Sequence, residues 1–204
     1  MKDNTISLGD FWTLVIRLNQ DAKRCLQELD ESPEDDEEGK SFWRRMYARA
    51  VFALIDGATY RMMFHAYAAS ARPGVCFSPE ELKRLEQAYD FDEGREPVAA
   101  VSKAQMLENI RFAFEAFARV HSAAYLLPIH DQNWALINEI AVIRQSLQYC
   151  REPQDMEVCD ENLEVLLCGL QWFLQCMVEL LESSVDSVEE GASEWELEDH
   201  EVLM

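Results

Sequence analysis

Residues 41–69 carry the apolar pattern of one long helix, and between Val51 and Ala58 that helix is apolar nearly all round. A helix without a polar face has to be enclosed by other elements. The segment therefore predicts the central helix of an all-α bundle, ended by Arg72-Pro73-Gly74.

Other stripes at spacings of three and four supply its neighbours. Phe11, Leu14, Val15, Leu18, Ala22, Cys25 and Leu29 line a helix over about residues 8–29, with Ser7 and Asp10 spaced as a capping box. Ser78-Pro79-Glu80-Glu81 opens a short helix to about Tyr89, with proline at its first position. Ser102 and Gln105 open a helix to about Tyr125, with Met106, Ile110, Phe114, Phe117 and His121 on one side. Pro128 breaks that pattern, and Asp131 caps a helix running to the neighbourhood of Tyr149. Pro153 separates it from a last helix, about residues 160–181, striped by Leu163, Leu166, Leu170, Phe173, Met177 and Leu180. The reading is a bundle of about five main helices, and the seven glycines and six prolines among 204 residues are few enough to allow it.

The net charge of -21 is uneven. Residues 28–38 hold eight acids and no base, and residues 183–204 hold eight more without Lys or Arg. Without those sixteen the remainder stands at -5, an ordinary value for a folded domain. This divides the chain into a helical domain over residues 1–182, with an acidic loop at about 28–40, and an acidic, flexible tail over 183–204. Such a field opposes non-specific binding of RNA or DNA, though a local basic cleft is compatible with it.

Targeting and redox signals are sparse. The N-terminal Met1-Lys2-Asp3-Asn4 lacks the charged-then-apolar pattern of a signal peptide, and no uninterrupted apolar run of about 18–20 residues is read. A soluble, cytoplasmic protein with no membrane association is expected. Cys25, Cys76, Cys150, Cys159, Cys168 and Cys176 form no Cys-x-x-Cys pair and have no His at ligand spacing, so reduced structural thiols are expected. There is no glycine-rich phosphate loop, nucleophile elbow or Cys–His signature, and no cofactor or metal is implied.

Three groups of segments together resemble the HEPN superfamily, small helical domains that include many RNA-cutting toxins and defence proteins. Phe42-Trp43-Arg44-Arg45-Met46-Tyr47-Ala48-Arg49-Ala50-Val51-Phe52-Ala53-Leu54-Ile55-Asp56-Gly57 is similar to the family's central helix, which commonly bears an acid where Asp56 stands. Residues 105–118 are similar to the helix before the family's motif, and residues 134–149 and 160–181 to the motif helix and the closing helix. In Ile143-Arg144-Gln145-Ser146-Leu147-Gln148-Tyr149, Arg144 matches the motif's Arg and Gln145 stands at its common Asn. Tyr149 stands where the motif has His. The resemblance implies a HEPN-like bundle and a homodimer whose cleft joins two copies of the site. In active members it implies metal-independent cleavage of RNA, with the 2′-hydroxyl attacking the neighbouring phosphate.

The chemistry explains why the substitution matters. Arg presents a fixed fork of donors to a phosphate gaining charge. His moves a proton near neutral pH, whereas Tyr, with an unperturbed pKa near 10, is a poor base there. Arg144 and Tyr149 also lie about 140° apart on an ideal helix. On the central helix Arg45, Arg49 and Asp56 fall within about 40° of one another and extend the candidate phosphate cleft. The plainer alternatives are an inter-helix ion-pair network, with Arg144 a structural donor to Asp56 and Tyr149 a packed aromatic. His65 and His121 are expected as satisfied core or boundary residues, and His130 as a loop residue within reach of Tyr149.

The function expected is a catalytically impaired HEPN-like interaction or regulatory module, set by the resemblance in a toxin–antitoxin or defence context. Two rivals stay open. One is a working metal-independent endoribonuclease using Arg144, Asp56 and Tyr149. The other is an acidic blocker whose loop or tail binds the basic surface of a nucleic-acid-binding protein.

Overall fold

The computed structural model describes residues 8–92 and 102–201, with side chains over 9–87 and 102–184. Ser7, proposed above as a cap, lies outside the described residues. The described residues form six α-helices in order: α1 (Leu8–Asp30), α2 (Glu37–Ala69), α3 (Pro79–Asp92), α4 (Lys103–Val120), α5 (Gln132–Gln148) and α6 (Asp160–Glu201), with a 3-10 turn at Pro153–Met156 before α6. The protein is all-α, with no strand among the described residues.

The helix expected to be central is so. Val51, Leu54, Ile55 and Ala58 of α2 are fully buried, and α2 packs against α1, α3, α4, α5 and α6. α1 lays Phe11, Val15 and Ala22 on it. α4 buries Met106, Ile110, Phe114 and Phe117, and Phe114 meets Phe173 of α6 edge-on with ring centroids 5.8 Å apart. α6 buries Leu166, Leu170, Phe173, Met177 and Leu180 as its stripe predicts.

Predicted boundaries move by four residues or more in three places. α2 starts at Glu37 because the Asp36 carboxylate accepts the Gly39 N–H at 2.8 Å, placing Glu37 and Glu38 in the first turn. There the exposed N–H groups and the helix dipole favour acids. The acidic run thus builds two helix ends, leaving only residues 31–36 between them. α4 stops at Val120, short of Tyr125, where His121 caps it and Ser122 turns to φ 54. α6 continues past Leu181 to Glu201, so the backbone of most of the acidic tail prolongs that helix. The predicted caps at Ser78, Ser102 and Asp131 all form, accepting N–H bonds from Glu81, Gln105 and Asn133 respectively.

The apolar content of the last helix is higher than the expectation allowed. Among the described residues, Pro153–Ser184 holds an 18-residue window of mean hydropathy 1.4 with at most two charges, long and apolar enough to cross a membrane by length and composition. Its stripe nevertheless packs against α2, α4 and α5 inside the bundle.

α5 and α6 run antiparallel, with Trp134 meeting Trp172 at 6.0 Å between centroids. Gly169 allows their close approach: a Cβ there would stand 2.5 Å from Ile140 Cδ1 and 3.3 Å from Leu136 Cβ. The end of Ile140 can give way to a methyl group, but a larger side chain has nowhere to go. Gly169→Leu should cost about 1–2 kcal/mol of unfolding free energy in a urea titration. Gly169→Ala should stay near wild type, because its helix propensity offsets the crowding. A Gly169→Leu variant as stable as wild type would show that the two helices are not in tight contact.

Candidate functional site

The site follows from one pairing between the central helix and α5. Asp56 lies on α2 at the edge of its apolar belt, and Arg144 lies one turn before the end of α5. Arg144 Nη2 donates to Asp56 Oδ2 at 2.8 Å, closing an ion pair between elements 88 residues apart in sequence. The Arg144 side chain is 14% exposed and that of Asp56 31%, so the pair sits at the rim of the core.

Burial pushes the Asp56 carboxyl above its ordinary value, and the Arg144 guanidinium pulls the other way without cancelling the shift. One turn further along α2, burial and the charge of Asp56 together raise the Tyr60 hydroxyl. These groups share a face because they are four residues apart on one helix.

Beside the ion pair lies an open pocket of about 280 Å³ lined by Arg49 and Phe52 of α2 and by Arg144, Leu147 and Gln148 of α5. Arg49 is exposed. It stands at the mouth as a cation that an anion from solvent can meet. The other candidates lie elsewhere. Arg45 donates from Nη1 to Ser41 Oγ at 2.7 Å, one turn back on its own helix, and does not line the pocket. Gln145 is exposed, and its carbonyl accepts the Tyr149 N–H at 3.1 Å.

Tyr149 is the C-cap of α5 and is 46% exposed, so the alternative of a packed aromatic is wrong for it. It is not among the pocket's lining residues. The physical reason is helical phase: Gln148, at i+4, shares the face of Arg144, while i+5 turns away. Phe52, Leu147 and Gln148 escaped the sequence reading, although the i,i+4 relation to Arg144 would have named Gln148. Arg44 also escaped it, and it pairs with Asp160 at 2.6 Å, tying the start of α2 to the start of α6.

The remaining titratable groups are placed as follows. His65 and His121 face each other, Nε2 to Nε2 at 2.9 Å, with stacked rings. His130 is exposed just before α5. All six cysteines are free thiols; Cys176 is buried and Cys25 partly so, but Cys76, Cys150, Cys159 and Cys168 are exposed. Only Cys176 and, in part, Cys25 therefore pack into the core. Burial raises the Cys176 thiol to about 11, which keeps it protonated and unreactive.

In comparison with known proteins, no family model, curated protein or solved structure matches the chain. Chemically, the pocket offers one exposed guanidinium, a second one already neutralised by a carboxylate, an amide and apolar walls. Its lining contains no group that exchanges a proton readily near neutral pH.

Proposed function

We propose that this chain is a HEPN-like bundle acting as a non-catalytic interaction or regulatory module in the cytoplasm, of the kind that serves toxin–antitoxin or defence systems. The observation that carries the reading is the engagement of Arg144 by Asp56 within one chain at 2.8 Å. An Arg that must clamp a developing phosphate charge has to present free donors toward the reacting group. Here the fork is turned onto an internal carboxylate and braces α2 against α5. The exposed side chain of Tyr149, which is not part of that pocket's lining, adds no proton carrier to it.

Purified protein incubated with single-stranded and structured RNA in the presence of EDTA should leave both intact. Cleavage that disappears in Arg144→Ala would overturn the reading and establish the endoribonuclease alternative. Uncleaved RNA with wild type and variant alike is the expected result.

A further inference from the structure

The packing of α2 on α4 brings His65 and His121 together, outside the Arg144 pocket. Their Nε2 atoms are 2.9 Å apart and their ring planes lie within 13° of each other. The ring centroids are 5.0 Å apart, close to the largest separation this contact allows, because each nitrogen lies about 1.2 Å from its ring centre. The rings therefore overlap little. They meet nitrogen to nitrogen, with the two Nε2 axes roughly along one line. Phe117, which is buried, packs against both rings at centroid distances of 5.2 and 4.6 Å. The two histidines are only partly buried, so solvent reaches them.

A pair of imidazoles arranged in this way can hold a metal ion where the hydrogen-bonding proton now sits. The surroundings select the kind of ion. Among the described residues no group of three or more His, Cys, Asp or Glu side chains converges, so an ion that needs four protein ligands has no cage here. The fixed charge acting on both rings is Arg72, in the turn after α2. A nearby cation opposes a divalent ion twice as strongly as a monovalent one. Two neutral nitrogens on one line suit a monovalent ion that is satisfied by two ligands, and imidazole is a good ligand for copper. Metal–imidazole bonds of about 2 Å place the nitrogens about 4 Å apart, so the pair opens by about 1 Å. His121 can supply that movement. It is the C-cap of α4, with φ -105 outside the helical range, and Ser122 at φ 54 follows it.

We propose that His65 and His121 form a two-coordinate site for copper(I), bound through both Nε2 atoms. The ring that donates in the metal-free protein changes tautomer, its proton passing from Nε2 to Nδ1 through solvent. Both rings stay neutral, the complex carries the single charge of the ion, and no electron is transferred. The site involves neither Asp56 nor Arg144, so its test does not bear on the function proposed above.

Thiols also take copper(I), so the readout is the imidazole nitrogens themselves, observed in the full chain by long-range ¹H–¹⁵N spectra. Copper(I), added without oxygen in excess over the six free cysteines, should shift Nε2 of His65 and His121 together and leave His130 nearly in place. His65→Phe should raise the copper concentration needed to shift His121 at least about ten-fold, because the second ligand is lost. His121→Phe should do the same to His65, and circular dichroism checks the fold of each variant. If one variant fails to fold, the other carries the comparison. Zinc(II) in the same titration should move the pair no more than His130. The proposal is overturned by rings that ignore copper(I) or by an equal response from His130. It is equally overturned by a response that survives in the folded variant, or by zinc(II) acting as copper(I) does.

Discussion

Arg144→Met should destabilise the protein by about 2 kcal/mol at pH 7, and the loss should shrink as the pH falls through the carboxylate range. Removing one partner of a buried ion pair leaves the other charge desolvated and costs about 3–5 kcal/mol when burial is complete. Asp56 is 31% exposed, so water takes over part of the lost interaction and the smaller figure applies. The pH dependence follows from the direction of the Asp56 shift. Burial already raises its folded pKa, and Arg144 is the group that opposes the rise. Without Arg144 the folded pKa climbs further above the unfolded one. A group so raised favours the folded state below its unfolded pKa and loses that contribution as pH rises through its folded pKa. The deficit of the variant therefore opens as pH rises out of the acid range and is complete at neutrality. Urea titrations of wild type and variant from pH 3.5 to 7.5 measure it. Adding Asp56→Leu should recover more than half of the loss, because no buried charge then remains. A deficit that is equal at every pH would mean that Arg144 acts through packing of its aliphatic stem, and that the ion pair contributes little.

The same pair shows how far the sequence could be read. The apolar stripes of α1, α2, α4 and α6 located the bundle and its central member, because a period of three and four is imposed by burial and survives any detail of packing. Helix ends were less legible. At Asp36 a capping bond and the helix dipole turned an apparently solvated acidic run into the first turn of α2. Among the site residues, Asp56 and Arg144 could be named as partners because each interrupts an apolar helix with a charge that needs compensation. Arg45 was misplaced for a different reason. Position on a helix sets the direction of Cβ, but a long side chain takes the nearest acceptor, and Ser41 lies one turn back. Tyr149 entered the candidate site through the motif alone; the angle of about 140° from Arg144 already set it on another face, and it does not line the pocket.

The pairing of His65 with His121 had no sequence signature, since the two lie 56 residues apart, and it makes the second large effect. His65 projects from α2 against Phe117 and His121 of α4, with ring centroids 5.2 and 5.0 Å away. Burial, the charge that His121 would carry and Arg72 in the turn after α2 lower the His65 pKa to about 4. Burial and Arg72 lower that of His121 as well. At a separation of 2.9 Å one Nε2 donates to the other, an arrangement that needs at least one neutral ring. The unfolded chain takes up protons on both rings as pH drops through about 6.5, whereas the folded pair resists. A depressed folded pKa of this kind gives stability that is present above the unfolded value and is lost as pH falls toward the folded one. Between pH 7 and pH 4 the loss should amount to about 2 kcal/mol, after allowance for the partial exposure of both rings. His65→Phe keeps an aromatic ring against Phe117 and removes the titration of that position. Its urea midpoint, followed by tryptophan fluorescence, should fall less than that of wild type over the pH 4–6.5 window, while carboxylate titration affects both proteins alike. Parallel curves for the two proteins would show that the pair is protonated as readily in the folded state as in water, and that α2 and α4 are joined there by ring packing alone.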